Sequence, residues 1–213
     1  KLTVSLNVNA DIDDAMGTPF IKNQIAYWNG WGQKAPLTVV TRQTKDDVLN
    51  ALADGTTADN LLYFYCHAGS KAITDAAGPG SSTFVFTGDQ RVTLDDLNLS
   101  APASTAFANA PLVFVNACES AKLSPLYYGG FVTYFMAKGA RGVIGTECET
   151  PAVFAADFAK QFFTRFLNGK DSVGEIFLAL RQDYYAKHNN LLGLLYALYC
   201  NGDTEIKPGV PVA

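Results

Sequence analysis

Hydrophobic residues fall into five short runs that are typical of buried β-strands. The runs span residues 2–8, 37–40, 61–66, 112–115 and 142–146. Two of them are almost unbroken, Leu-Leu-Tyr-Phe-Tyr-Cys at 61–66 and Leu-Val-Phe-Val at 112–115. Strands that are apolar on both faces are typical of a parallel sheet with helices on each side.

Helical patterns occupy the intervals between these runs. Five helices are predicted, over residues 18–28, 44–52, 130–138, 157–167 and 172–185. Thr44 and Ser172 are the residue types that cap helix N-termini. The alternation of strands and helices predicts an α/β fold with a doubly wound, mostly parallel sheet. One such sheet accounts for most of the chain, so we expect a single domain over residues 1–213.

The interval 68–110 departs from this alternation of strands and helices. It is rich in Gly, Ser, Ala, Thr and Asp and shows no helical period. Within it, residues 83–94 read as a β-hairpin that turns at Gly88-Asp89, which predicts a hairpin excursion at about residues 80–95. A long excursion from the end of a parallel strand is more often functional than idle.

Composition excludes several function classes. The net charge is −4, so no basic surplus exists to neutralise nucleic-acid phosphates. No apolar run approaches the roughly 20 residues of a membrane helix, so we expect no direct nucleic-acid or membrane partner. The chain begins with Lys1 rather than Met, which suggests that it is cut from a longer multidomain protein.

The cysteines and glycines predict neither a metal nor a cofactor. Four cysteines and two histidines are present without a C-x-x-C pair, which makes a zinc site improbable. No P-loop occurs, and Pro36 interrupts the one sequence that imitates a dinucleotide fingerprint. Cysteines at the ends of apolar runs are typical of free thiols. We therefore expect a reducing, cytoplasmic location, although counting leaves two disulfides open.

Two reactive residue types follow neighbouring apolar runs. His67 follows the run 61–66, and Cys118 follows 112–115 after two residues. Sites in open α/β sheets gather outside the carboxyl ends of the strands. An imidazole beside a thiol stabilises the thiolate and later protonates a leaving amine. Gly69 allows close backbone approach, so its N–H and that of Cys118 are candidate oxyanion-hole donors.

These strand ends resemble a known family. Leu-Tyr-Phe-Tyr-Cys-His-Ala-Gly, which ends at Gly69, and Leu-Val-Phe-Val-Asn-Ala-Cys-Glu-Ser, which contains Cys118, are similar to the catalytic strand ends of caspase-like cysteine peptidases. Gly139–Thr146 and Val173–Arg181 are similar to later segments of the CHAT branch of that clan. The resemblance implies a caspase-like fold and hydrolysis of a peptide bond by a His67/Cys118 dyad. Ala68 separates the histidine from the glycine, which are adjacent in many members.

The resemblance also implies a substrate pocket. Asn116 lies two residues before the predicted nucleophile, on the same face of an extended strand, at a position similar to the floor of the P1 pocket. Glu147 and Glu149 follow the run 142–146, which would form the adjacent wall. An acid that points inward would favour Lys or Arg at P1. The alternative is that both glutamates are solvated loop charges.

The sequence therefore predicts a cysteine endopeptidase that cleaves a protein substrate. The family association implies the effector end of a bacterial signalling or defence protein, with sensor domains or subunits as regulatory partners. One alternative is a catalytically silent interaction module of the same fold, although both His67 and Cys118 are present. The other is a flavodoxin-like receiver or binding domain, which would use the acids that follow the first strand.

Overall fold

The computed structural model describes residues 2–34, 37–69, 78–117, 126–146 and 150–206. Within these ranges the strands are β1 (Leu2–Val8), β2 (Leu37–Arg42), β3 (Leu61–Gly69), β4 (Thr83–Phe86), β5 (Gln90–Thr93), β6 (Leu112–Ala117), β7 (Gly142–Thr146) and β8 (Tyr196–Cys200). The helices are α1 (Asp11–Met16), α2 (Phe20–Lys34), α3 (Lys45–Ala53), α4 (Leu94–Ser100), α5 (Leu126–Ala137), α6 (Ala152–Leu167) and α7 (Val173–His188).

The main sheet has the strand order β2-β1-β3-β6-β7-β8. The first five strands in this order run parallel, which confirms the predicted mostly parallel sheet. The sequence pattern did not predict β8, which pairs antiparallel with β7. Gly142 permits this close pairing, because a Cβ at that position would collide with the Cβ of Cys200.

Helices cover both faces of the sheet, which confirms the doubly wound arrangement. Alternate residues of β3 enter two separate cores, because successive strand side chains point to opposite faces. Tyr63 and Tyr65 pack in the core beneath α1, α2, α6 and α7. Phe64 and Cys66 pack in the core beneath α3, α4 and α5. A strand buried on both faces explains the unbroken apolar run at 61–66.

All five predicted helices are present, and their caps explain where two of them begin. The Thr44 hydroxyl accepts a hydrogen bond from the backbone N–H of Asp47 at the start of α3. Ser172 and Glu175 form a reciprocal capping box at the start of α7. The helix predicted over 18–28 continues to Lys34 as α2. No helix in the described part of the chain is both long and apolar enough to cross a membrane.

The excursion between β3 and β6 contains the predicted hairpin. β4 and β5 pair antiparallel, and Gly88 (φ 73°) and Asp89 (φ 54°) adopt left-handed backbone conformations at the turn. The expectation that this interval has no helix was wrong, because α4 follows β5 directly. Thr93 and Asp96 form a capping box, a four-residue signal that starts a helix too short to show a clear period.

Candidate active site

The carboxyl ends of β3 and β6 lie side by side. The two strands are parallel neighbours, and their register pairs Tyr65 with Asn116 and Cys66 with Ala117. His67 is the next residue along β3, and Ala117 is the last residue of β6. His67 therefore lies at the edge of the sheet where α/β folds bind their ligands. Cys118, Glu147 and Glu149 lie outside the described residues, so their predicted roles stay predictions.

The last residues of β3 leave the parallel sheet and join the hairpin. His67 pairs with Val85 of β4, and Gly69 pairs with Thr83, in antiparallel register. Both His67 and Gly69 are half-buried. A Cβ at position 69 would lie 3.3 Å from the Thr83 hydroxyl oxygen, so the glycine lets the hairpin pack closely on the end of β3. The oxyanion role of Gly69 stays a prediction.

Residues that follow β1 hold the hairpin beside His67 through hydrogen bonds. The buried Asn9 side chain donates a hydrogen bond to the Val85 carbonyl (3.1 Å). The Gly88 N–H donates to the Asp11 carboxylate (2.7 Å). Sequence reasoning did not anticipate this contact between the hairpin and Asp11. The available signal is an asparagine directly after a buried strand, since a buried carboxamide needs partners.

Asn116 is fully buried beneath this edge, with 0% of its surface exposed. Its side-chain nitrogen donates to the Tyr63 hydroxyl (3.1 Å) and to the Ala155 carbonyl (2.8 Å). Its side-chain oxygen accepts a hydrogen bond from the Tyr196 hydroxyl. The predicted pocket-floor residue thus bridges β3, α6 and β8. Sequence reasoning did not anticipate Tyr63 and Tyr196 as its partners, because strand register decides the contact.

The described cysteines lack the features of reactive thiols. Neither Cys66 nor Cys200 is part of a disulfide, and Cys66 has no exposed surface. Burial raises the pKa of the Cys200 thiol, so it stays protonated at neutral pH. Across the described ranges, no cluster of three or more His, Cys, Asp or Glu side chains could hold a metal ion.

Comparison with known proteins gives a family and a named relative. The sequence model of the CHAT domain matches residues 17–185. A protein of Vitiosangium sp. (strain GDMCC 1.1324) named "Probable protease" is 35% identical over 142 residues, which cover 64% of this chain. The same alignment covers 18% of that protein, so this chain spans less than a fifth of its length. These matches support a function of the cysteine-peptidase type.

Solved structures share the fold. The Saccharomyces cerevisiae separase–securin complex matches with a TM-score of 0.52 and 15% identity, covering 93% of this chain and 12% of that chain. The Arg-specific cysteine proteinase gingipain R matches with a TM-score of 0.52 and 11% identity, covering 97% of this chain and 47% of that chain. At these identities the likeness shows a caspase-like fold.

Proposed function

Because the chain belongs to the CHAT domain family, we propose that it is a cysteine peptidase domain that uses Cys118 as nucleophile and His67 as general acid and base. The observation that carries the proposal is the register of β3 and β6, in which Cys66 pairs with Ala117. Each member of the proposed dyad is the next residue in sequence after one member of this pair. Two parallel strands thus lead to both reactive groups from the same edge.

The proposed reaction has two steps. The Cys118 thiolate attacks the carbonyl carbon of the scissile peptide bond, and the imidazolium of His67 donates its proton to the amine as the C–N bond breaks. The product of this step is an acyl thioester and a free amine. Water then attacks the thioester, neutral His67 takes a proton from the water, and the C–S bond breaks to release the carboxylic acid and the thiolate.

The backbone N–H groups of Gly69 and Cys118 are the proposed oxyanion-hole donors. Removing one such donor typically slows an enzyme about 100- to 1,000-fold. The antiparallel pairing of Gly69 with Thr83 supports a fixed backbone on the histidine side. A fixed backbone matters because a donor that is already oriented needs no reorganisation when charge develops in the transition state.

The proposed substrate is a protein with Lys or Arg at P1. Asn116 forms the floor of the proposed pocket, and Glu147 or Glu149 supplies the acid on its wall. A scan of fluorogenic peptides that differ only at P1 tests this specificity. Faster cleavage after Lys or Arg is expected, whereas a preference for Asp at P1 would refute the acidic pocket and leave the dyad intact.

The proposed biological role is that of an effector domain in a bacterial signalling or defence system of the cytoplasm. The chain is expected to form one domain over residues 1–213. It spans 18% of the named relative, which leaves ample length in that protein for other modules. Sensor domains or subunits are the proposed regulatory partners, which hold the peptidase inactive until a trigger arrives.

Thiol labelling tests the dyad without a known substrate. The chain is treated with iodoacetamide at pH 6 to 9, and mass spectrometry of its peptides follows alkylation at each cysteine. Cys118 is expected to react much faster than Cys200 at pH 6, and His67→Ala should remove this advantage. The Cys118→Ala variant should lose all peptide cleavage, while the matched Cys200→Ala variant should keep it. Cleavage by Cys118→Ala at the wild-type rate would show that the nucleophile lies elsewhere.

The same labelling separates a peptidase from a silent interaction module. A silent module needs no thiolate, so Cys118 would then react no faster than an ordinary exposed cysteine and would ignore the His67→Ala change. That result would exclude the dyad and favour a binding role for the fold.

A further inference from the structure

The carboxamide of Asn116 joins four elements of secondary structure at one buried point. It belongs to β6 and makes hydrogen bonds to Tyr63 of β3, Ala155 of α6 and Tyr196 of β8. An asparagine side chain has two N–H donors and one carbonyl acceptor. Two hydrogen bonds from the nitrogen and one to the oxygen therefore engage each of its polar atoms with protein.

These contacts restrict the end of β6 more than the sheet ladder alone does. The ladder fixes β6 against β3 and β7, in the plane of the sheet. The bond to the Ala155 carbonyl connects the strand to the first turn of α6, which lies on the face of the sheet. The bond from Tyr196 connects it to β8, which lies beyond β7. The strand end is thus held both within the sheet and perpendicular to it.

We propose that Asn116 is a positioning residue, whose buried hydrogen bonds fix the end of β6 and with it the place from which the chain continues to Cys118. This inference rests on the proposed function and deepens it, because it assigns Asn116 a role through the strand rather than through contact with substrate. A pocket floor of this kind shapes the pocket but offers no unoccupied polar atom to the P1 side chain.

The physical reason is the high cost of breaking the network. A buried polar group that loses its partner pays the full desolvation penalty, so the strand end has one favourable position rather than several. Misplacing a reacting group by about 1 Å can cost roughly 100-fold in rate. A nucleophile two residues from a rigid anchor therefore gains reactivity from that anchor.

Tyr196→Phe is the variant that tests the proposal. It removes the hydroxyl that donates to the Asn116 oxygen but keeps the aromatic ring, which stacks on Phe158. Tyr184→Phe is the matched control. Tyr184 also stacks on Phe158, and its hydroxyl donates to Asp157 of α6, but it makes no hydrogen bond to Asn116. Tyr184→Phe also loses the bond that its hydroxyl accepts from Gln161 (3.0 Å), so the control removes tyrosine hydrogen bonds on the same face of the sheet without touching Asn116.

Two readouts are compared in these variants. Amide hydrogen exchange is measured along β6, and we expect Tyr196→Phe to accelerate exchange at Asn116 and Ala117 while leaving Val113 unchanged. Alkylation of Cys118 by iodoacetamide is measured across pH, and we expect it to slow roughly tenfold at pH 6. Tyr184→Phe should leave both the exchange pattern and the alkylation profile as in the unmodified chain.

The two readouts keep this inference separate from the proposed function. Unchanged exchange at Asn116 and Ala117 in Tyr196→Phe would overturn the positioning role, whatever the reactivity of Cys118. Faster exchange with an unchanged alkylation profile would also overturn it, because the anchor would then not reach the nucleophile. If Cys118 of the unmodified chain reacts like an ordinary cysteine, the proposed function fails, and the inference that depends on it fails with it. In that case the exchange data still report whether Asn116 anchors β6.

Discussion

Asn116 and Lys138 are both buried, on opposite faces of the sheet, and they satisfy their polar atoms differently. The neutral amide of Asn116 bonds to two tyrosine hydroxyls and one helix carbonyl. Lys138 directly follows α5 and is 1% exposed. Its ammonium donates to the backbone carbonyls of Ala101, Pro102 and Thr105, at 3.2, 2.9 and 2.6 Å.

The difference lies in what each group holds in place. Asn116 connects strands and a helix whose backbones already have ladder or helix hydrogen bonds. Lys138 binds a loop that follows α4. The three N–H donors of its ammonium group bond to three carbonyls of this loop, where a sheet would supply backbone N–H donors instead. A buried charge is tolerated only when it is hydrogen-bonded. The loop and the lysine therefore depend on each other, whereas the elements around Asn116 also have other support.

Removing the Lys138 ammonium should have the largest effect on stability. Lys138→Met keeps most of the side-chain volume but takes the ammonium donor from all three carbonyls. Ala101 keeps the bond from Tyr134 and Pro102 keeps the bond from the Thr105 N–H, so the Thr105 carbonyl is the one left without the donor it has here. A buried polar group left unsatisfied costs about 1–3 kcal/mol, so we expect a loss of about 2 kcal/mol. Urea denaturation followed by circular dichroism measures the change in the free energy of unfolding.

Lys170→Met is the control for this substitution, because Lys170 is exposed. Surface substitutions of this kind usually change stability by less than about 0.5 kcal/mol. Equal losses in the two variants would mean that the carbonyl contacts of Lys138 contribute nothing, and the contrast with Asn116 would then disappear.

Much of the fold could be predicted because strong local patterns determine it. The runs at 61–66 and 112–115 have apolar side chains on both faces, and only a strand between two helical layers buries such a run. The Gly88-Asp89 turn is equally local, since its backbone angles favour these residue types. The pattern did not predict β8 because its five residues, Tyr-Ala-Leu-Tyr-Cys, continue an apolar stretch from a short helical turn and show no alternation of apolar and polar positions.

In the candidate site, too, the sequence predicted what neighbouring residues determine and missed contacts between residues that are far apart in sequence. The positions of His67 and Gly69 at a strand end followed from an apolar run and the residues after it. The partners of Asn116 and of Asn9 did not, because Tyr196 is 80 residues from Asn116 and Val85 is 76 residues from Asn9 in sequence. Only the assembled sheet brings these pairs together, and no spacing rule within one sequence reports on them.

Tyr134→Phe should have a smaller effect than the loss of Lys138. The Tyr134 hydroxyl donates to the Ala101 carbonyl (2.6 Å), which also accepts a bond from Lys138. Burial raises the pKa of Tyr134, so its hydroxyl remains a donor throughout the neutral range. Because Ala101 keeps its second donor in the variant, we expect a loss of about 1 kcal/mol. A loss in urea denaturation as large as that of Lys138→Met would contradict the central role of the ammonium.

Asp96→Asn should have the smallest effect, and its effect should depend on pH. Asp96 lies in the first turn of α4, at the other end of the segment that leads to the Lys138 loop. Partial burial acts to raise the pKa of Asp96, but hydrogen bonds from Lys45 and Thr93 outweigh it, and the pKa lies below its ordinary value. A carboxyl whose pKa is lowered by folding stabilises the protein above its unfolded pKa of about 3.9, and this contribution is lost as the pH falls through the folded value. Urea denaturation should therefore show the variant less stable by under about 1 kcal/mol at pH 7, with the gap closing as the pH falls through the lowered pKa of Asp96. The exposed neighbour Asp95→Asn is the control, and a gap that stays constant with pH would show that Asp96 acts through shape rather than charge.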